Sequence, residues 1–516
     1  MMADGWRREL EGHARATWHS LVELTLPGTG LPADWIDGGL RAETRAPYTS
    51  PTNIAMLIWS VLVARDLGFI ARGEAALRIE RALDSVCRLE RHATTGQFYN
   101  WYDPATLETL TRWPEAPGGR VYPFASSVDN GWLACALLML ENAMPERPEL
   151  GERARRLGLS MNFGCYYDAA AKGGGPGLLR GGFWRTSNVA PGSEVLPHGD
   201  YAQAGETLVY TGHHYTTFNS EPRIASYLAI ALGQVPREHY FAAYRTYPDS
   251  CEYAWQEARP EGRWREYLGV EVFQGVYHVN GRRLVPSWGG SMFEALMPAL
   301  VVPELDWGTQ SWAITHPLYV EAQMEFGLRE SGYGYWGFSP AADPAGGYRE
   351  YGVDALGMKS DGYASDVQRR TVFDAGWDGD GCKRPRRPIA DYGQGVVTPH
   401  AAFLALEFAP AATLDNLRAL RRDFPSLYGA GGFKDSVNVA TGQCADRYLA
   451  LDQGMVMAGI DALLGARLRG YLAPVLQAAI EPLMRLEEFG AGRTGGHEGR
   501  ASEAPTARSE RAQTAT

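Results

Sequence analysis

Ten stretches of this chain repeat apolar residues at helical spacing, and several of the segments between them are too long to be turns. They run over 52–70, 73–91, 128–143, 220–233, 290–302, 311–329, 396–408, 411–423, 447–466 and 470–488. Strand patterning is clear only over 269–287, where alternation around Asn280-Gly281 reads as a tight-turned hairpin inserted between helices. No linker rich in Pro, Ser or charge cuts the middle of the chain. The pattern therefore predicts one continuous all-α domain over 21–488, with an accessory helix over 1–20. From 489 to 516 the composition turns to Gly, Ala, Ser, Thr, Arg and Glu, which predicts a disordered tail.

With 516 residues and 45% hydrophobic content, the chain can bury a large core. Its formal charge of -11, with both signs interspersed, argues against nucleic acid or an anionic membrane surface as partner. A neutral or basic ligand is easier to accommodate. Fifteen Trp and 26 Tyr supply flat amphipathic rings, the kind that stack on sugar faces and line clefts as well as filling a core. The polar opening segment has no apolar h-region, and the longest apolar helix, 54–63, is too short to cross a bilayer, so a cytoplasmic protein is expected. Six cysteines (Cys87, Cys135, Cys165, Cys251, Cys382, Cys444) form no C-x-x-C pair, which suits reduced thiols; neither a metal nor a cofactor is expected.

The loops at 92–127, 160–219, 234–289, 330–395 and 424–446 exceed the usual length, and such loops are usually functional. A helical barrel that gathered them on one face would converge their rings, imidazoles and carboxylates on one cleft. Within the helix 447–466, Asp452, Gln453 and Gly454 interrupt an apolar run. Buried polar groups cost a few kcal/mol unless paired and a mid-helix Gly about 1 kcal/mol, so the break marks a functional candidate. Glu221 starts a helix just after His213, His214 and Tyr215; it is either a dipole-favoured first-turn acid or an acid surrounded by groups suited to sugar hydroxyls. Asp129 is a helix cap or a substrate contact, and Glu294 is a structural pair for an arginine or a site acid. Trp101, Tyr102, Trp288, Trp336 and Tyr348 are candidate stacking platforms, with His213, His214, Asp343 and Gln453 as further substrate contacts. No G-x-S-x-G nucleophile context or phosphate-cradling loop is present; the glycine run at 173–177 lacks the Lys-Ser/Thr of a P-loop.

SPTNIAMLIWSVLVARDLGFI, GQFYNWYDP, SSVDNGWLACALLML, SEPRIASYLAIALG, SWGGSMFEALMPAL, YWGFSPAADPAGGYREYGVDALG, VVTPHAAFLAL and GGFKDSVNVATG with RYLALDQGMVMAGI resemble, in this order from about residue 50 to 466, the glycoamylase-like proteins. These include the endo-β-1,2-glucanases of glycoside hydrolase family 144 and the transglycosylation domain of cyclic β-1,2-glucan synthases. The resemblance implies an (α/α)6 barrel and a β-glucoside or oligosaccharide substrate, and it aligns Glu221 with an acid that resembles a proton donor. Asp452 is the preferred base and Asp129 a further catalytic candidate. Relatives of the synthase kind carry a carboxylate after the Ser of the W-G-x-S segment, where this chain has Pro340. Inversion then fits better than retention, with a base activating water across a gap of roughly 6.5–9.5 Å. A carbohydrate-binding or scaffolding barrel without chemistry, and a lyase or epimerase, are the other readings.

Overall fold

A computed structural model describes residues 2–115, 118–171, 175–201, 205–247, 258–358 and 395–494. Among them the α-helices are α1 (Met2–Leu24), α2 (Pro51–Asp66), α3 (Arg72–Val86), α4 (Ser127–Ala143), α5 (Pro148–Leu159), α6 (Arg223–Ala231) and α7 (Met292–Leu296). They continue with α8 (Glu304–Trp307), α9 (Trp312–Glu325), α10 (Pro399–Leu404), α11 (Pro410–Asp423), α12 (Ala450–Leu464) and α13 (Arg467–Leu486). None is long and apolar enough to cross a membrane.

Helices apolar on every face must lie inside, and α2, α4 and α12 are buried along nearly their whole length. α2 lies between α12 and α4, α4 packs on α6, α12 on α10, and α10 on α7. Arg223 joins α6 to α7 by donating to the carbonyls of Glu294 (3.1 Å) and Ala295 (2.8 Å). The amphipathic α3, α5, α11 and α13 bury one stripe each and leave the other face to solvent. Gly454 is explained by packing: a Cβ there would run into the Met56 side chain of α2, and one at Gly459 into the Phe403 carbonyl of α10. Closer approach of three inner helices offsets the lost helix propensity.

The fold is helix-rich with sheets, and here the all-α expectation is corrected. The hairpin around Asn280-Gly281 exists, with φ of 47° and 78° at the turn, as a type I′ turn demands. It belongs to a four-stranded sheet in which Val270–Val279 also pairs with Glu261–Tyr267, and Arg282–Leu284 with Gly492–Arg493. A second four-stranded sheet is built from Ala125–Ser126, Gly182–Arg185, Leu208–Tyr210 and His198–Gly199, inside the stretch read as loop. The segment 290–302 breaks after α7 into a 3-10 turn at Pro298–Leu300, because Pro298 has no N–H to continue the ladder. Residues 489–494, assigned to the tail from composition, are placed: Phe489 is 5% exposed against Trp312 (5.1 Å between ring centroids). One ring and two strand residues are lost in an averaged composition. Residues 495–516 lie outside the described set, as do Cys251 and Cys382; the four described cysteines are free thiols.

Candidate active site

Five inner helices point their N-termini at one cleft of about 570 Å³. Ser50, Thr52 and Asn53 come from the start of α2, Val128 and Asp129 from α4, Glu221 from the turn before α6, Phe293 and Glu294 from α7, and Leu449 and Leu451 from α12. Hydroxyl caps set these starts, with Ser50 accepting from the Asn53 amide (3.1 Å), Ser126 from Asp129 (3.3 Å) and Ser291 from Glu294 (3.4 Å). Converging N-terminal dipoles favour anions at the cleft floor, which offsets part of the repulsion among its acids. The lining carries six carboxyls (Asp34, Glu115, Asp129, Glu221, Glu294, Glu350) and one guanidinium, Arg447, whose Cζ lies 4.0 Å from the Trp35 ring centroid. Such a balance rejects anionic ligands and suits neutral polar ones. One wall is an aromatic corner: Tyr48 lies 5.7 Å from Trp101 and 4.4 Å from Trp113, centroid to centroid.

The acids fall into two groups. On one side the Glu221 carboxyl accepts a 2.7 Å hydrogen bond from Trp132 Nε1, and its backbone amide donates to Glu294 Oε2 (2.9 Å). Burial, and then Glu294, hold the Glu221 carboxyl well above the usual carboxylate range, which favours its protonated form. Asp129 accepts from Thr52 Oγ1 at 2.6 Å. On the other side lie Asp34, Asp435 and Asp452. Asp34 accepts from Asn53 Nδ2 (2.7 Å), and burial lifts its carboxyl to about 6. Asp452 is 1% exposed, behind the α12 residues that line the cleft. Burial, and then the neighbouring Asp435, push its carboxyl well up; Asp435 is also raised by burial, but the hydrogen bond from Asp452 and one from the Ala342 amide favour its anion. A proton shared by the two therefore favours Asp452.

His400, Asp435 and Asp452 each offer a donor atom within 4.8 Å of the others, so the donor types would suit a small divalent cation. The imidazole turns different nitrogens to the two acids, Nδ1 to Asp435 (3.8 Å) and Nε2 to Asp452 (3.7 Å). Burial lowers His400 to about 3, so the ring is neutral. A neutral imidazole is also the form that ligates a metal, but one ring can turn only one of these nitrogens to a metal point common to both carboxyls.

Of the sequence candidates, Glu221, Asp129, Glu294, Trp101 and Tyr348 line the cleft. Tyr348 stands 48% exposed within it, and the carboxyls acting on its hydroxyl come from both groups: Asp452, Asp435, Glu221 and Asp34. Trp336 does not reach the cleft. It is 1% exposed in the core, its backbone locked to the Asn416 side chain (3.2 and 2.8 Å), because the loop carrying it folds inward. Tyr102 is likewise buried; its hydroxyl donates to the Glu90 carbonyl (2.5 Å) and accepts from the Tyr99 amide (2.6 Å). His214 pairs with Asp168 (2.9 Å), His213 stacks edge-on to Tyr215, and neither lines the cleft; nor does Trp288. Asp343 is used within the turn joining Ala341–Ala342 to Tyr348–Arg349, accepting from Ala345 (2.6 Å) and Tyr351. Gln453 ties α12 to α1 and to the Phe433 carbonyl. Asp34, Trp35, Tyr48, Trp113 and Glu115 were not found from sequence, since a lone acid or ring in a loop carries no periodic signal; Asp435 at least lies in the motif GGFKDSVNVATG.

In part of its sequence and in its fold, this chain is similar to the glycoamylase-like proteins. Residues 256–468 match the family model Glycoamylase, described as "Putative glucoamylase". The chain is 24% identical over 590 aligned residues to the cyclic β-(1,2)-glucan synthase NdvB of Rhizobium meliloti (strain 1021), covering 91% of this chain and 18% of that protein. It thus spans 18% of the curated relative's length. Among solved structures, it shares its fold with an endo-β-1,2-glucanase from Chitinophaga pinensis in complex with sophorotriose and glucose, at 15% identity and TM-score 0.61, covering 94% of this chain and 98% of that one. An endo-β-1,2-glucanase from Talaromyces funiculosus in complex with sophorose superposes with TM-score 0.60 at 14% identity, covering 92% and 88%. The resemblance read from the motifs is borne out in these matches.

Proposed function

We propose that the protein is a glycoside hydrolase acting on β-glucosidic oligosaccharides, with β-1,2-linked glucose as the leading substrate. The observation that carries this reading is the placement of the Glu221 carboxyl, beside Glu294 and Asp129 and biased by burial toward its protonated form, in a cleft whose rings and neutral-ligand balance suit sugars. The solved structures of similar fold hold β-1,2-linked glucose chains. The contacts of the inner helices, α2 to α4 to α6 to α7 to α10 to α12 and back to α2, are read as the inner ring of an (α/α)6 barrel. Glu221 serves as general acid, and the base side is the group formed by Asp452, Asp435 and Asp34; Asp129 and Glu294 position the sugar and the acid. The largest charge influences on each carboxyl come from its own side, Glu294 and Asp129 on Glu221, and Glu115, Arg447 and Asp435 on Asp34. That separation supports inversion, as does Pro340 lining the cleft where a nucleophilic carboxylate would stand.

Transglycosylation is the second reading, favoured by the similarity to the synthase. Incubation with β-1,2-glucooligosaccharides, read by mass spectrometry and proton NMR, separates the two. Hydrolysis adds one water and gives an α-anomer first; products longer than the substrate, matched by the shorter leaving chains and with no net gain of water, would replace this reading by transfer. Glu221→Gln and Asp452→Asn should each lower turnover by about 10²-fold or more with the fold intact. A Glu221→Gln variant with near-parental turnover removes the acid assignment.

A further inference from the structure

Asp34 was invisible in the sequence, yet it is the member of the second acid group that borders the cleft. Its position is fixed from several elements at once. The Asp34 amide donates to the Tyr48 carbonyl (2.9 Å), and its own carbonyl accepts from the Ala450 amide (2.8 Å) at the start of α12, two residues before Asp452. Asn53 Nδ2, from the first turn of α2, holds Oδ1 at 2.7 Å. Oδ2 has no such bond and is the oxygen left for a ligand. Asp452, by contrast, is 1% exposed and does not line the cleft, and burial with the neighbouring Asp435 favours its protonated form, so it is poorly placed to take a proton from a water there. With its carboxyl at about 6, Asp34 is largely ionised at neutral pH, whereas burial and Glu294 favour the protonated form of Glu221. Two carboxyls that line one cleft from different elements, one biased toward its anion and the other toward its acid, suit an inverting base and acid.

We infer that Asp34 is the catalytic base, the carboxylate that touches the attacking water, and that the buried Asp435–Asp452 pair is the positioning apparatus behind it. This deepens the hydrolase reading and rests on it. In the step, a water gives a proton to Asp34 Oδ2 as its oxygen bonds to the anomeric carbon. The bond from that carbon to the leaving sugar oxygen breaks, and that oxygen takes the Glu221 proton. The two carboxyls then return to their starting states by exchanging one proton each with solvent, and one water has been added to the substrate. Asn53 aims Asp34 and does not itself touch the reacting atoms.

The test uses the full chain with β-1,2-glucooligosaccharides. Asp34→Asn keeps the shape and both backbone hydrogen bonds; its kcat should fall by about 10²-fold or more, with KM within a few-fold and the melting temperature within a few degrees. In Asp34→Ala, added sodium azide should restore part of the turnover and yield a glycosyl azide, since azide attacks without losing a proton. Should Asp34→Asn fail to fold, Asn53→Ala reports on the same carboxylate: kcat is expected to drop about 10-fold with KM unchanged. Near-parental kcat in Asp34→Asn while Glu221→Gln is inactive overturns the inference and leaves the hydrolase reading in place. A parallel rise in KM with no azide rescue also overturns it, since Asp34 would then only bind sugar. If the parent chain itself cleaves none of these oligosaccharides, it is the underlying reading that has failed.

Discussion

Trp132→Phe isolates one bond to the general acid. Trp132 is fully buried, edge-on to Trp59 at 5.5 Å, and its Nε1 donates the 2.7 Å hydrogen bond to Glu221 Oε2. That bond favours the ionised carboxyl and opposes the effects of burial, Glu294 and Asp129, all of which raise its pKa. A hydrogen bond to a charged acceptor contributes about 1.5–3 kcal/mol. At 1.36 kcal/mol per pKa unit, its loss moves Glu221 up by about 1–2 units, or about 1 if a water takes the indole's place. The acid must be protonated to work, so a higher pKa carries the basic limb of the kcat/KM profile to higher pH. The smaller ring also leaves a void, which should lower stability by about 1–3 kcal/mol without changing the sign of the pH effect. A pH–rate series on β-1,2-glucooligosaccharides from pH 4 to 10, with denaturant melts alongside, measures both. A basic limb that stays in place, or moves to lower pH, refutes the assignment of Glu221 as the protonated acid.

Trp336→Ala should destabilise the protein by about 3–5 kcal/mol in urea melts, with KM of the surviving folded enzyme little changed; a folded variant with raised KM and parental stability would return Trp336 to the cleft. Asp461, at the end of α12, accepts from the Leu468 amide (3.0 Å), and burial raises its carboxyl to about 6. A raised carboxyl is stabilising relative to the unfolded chain only while protonated, so its contribution is present below the unfolded value near 4 and is lost as pH rises through 6. Asp461→Asn should thus raise the melting temperature at pH 8, by up to about 3 kcal/mol of stability, and leave it nearly unchanged at pH 4; equal effects at the two pH values count against this account. A chain cut after Glu488 should melt several degrees below one cut after Thr494, because it loses Phe489 from its contact with Trp312 and the Gly492–Arg493 strand from the sheet; identical melts would mean those contacts contribute nothing.

Local spacing determined the helices, since apolar residues three and four apart can be buried only on a helix face, and the predominantly apolar stretches at α2, α4 and α12 had to lie inside. It also determined the Asn280-Gly281 turn, where positive φ at two successive residues leaves few alternatives. Acids at helix starts were legible for the same reason, and Glu221, Asp129 and Glu294 reached the cleft because inner helices that pack side by side bring their N-termini to one end. What a loop residue faces has no local signature. Trp336 and Tyr102 read like Trp101 and Tyr348 in sequence, yet two went into the core and two into the cleft according to which way each loop folded back. The Asp452-Gln453-Gly454 interruption was visible as a break but not as three separate jobs: a carboxyl sharing a proton with Asp435, an amide tying α12 to α1, and a missing side chain that lets α2 approach. Asp34 and Asn53 on one side and Ala450 on the other meet only because α12 returns to α2 at the far end of the chain, and a contact between such distant residues is decided by packing, which no run of neighbouring residues encodes.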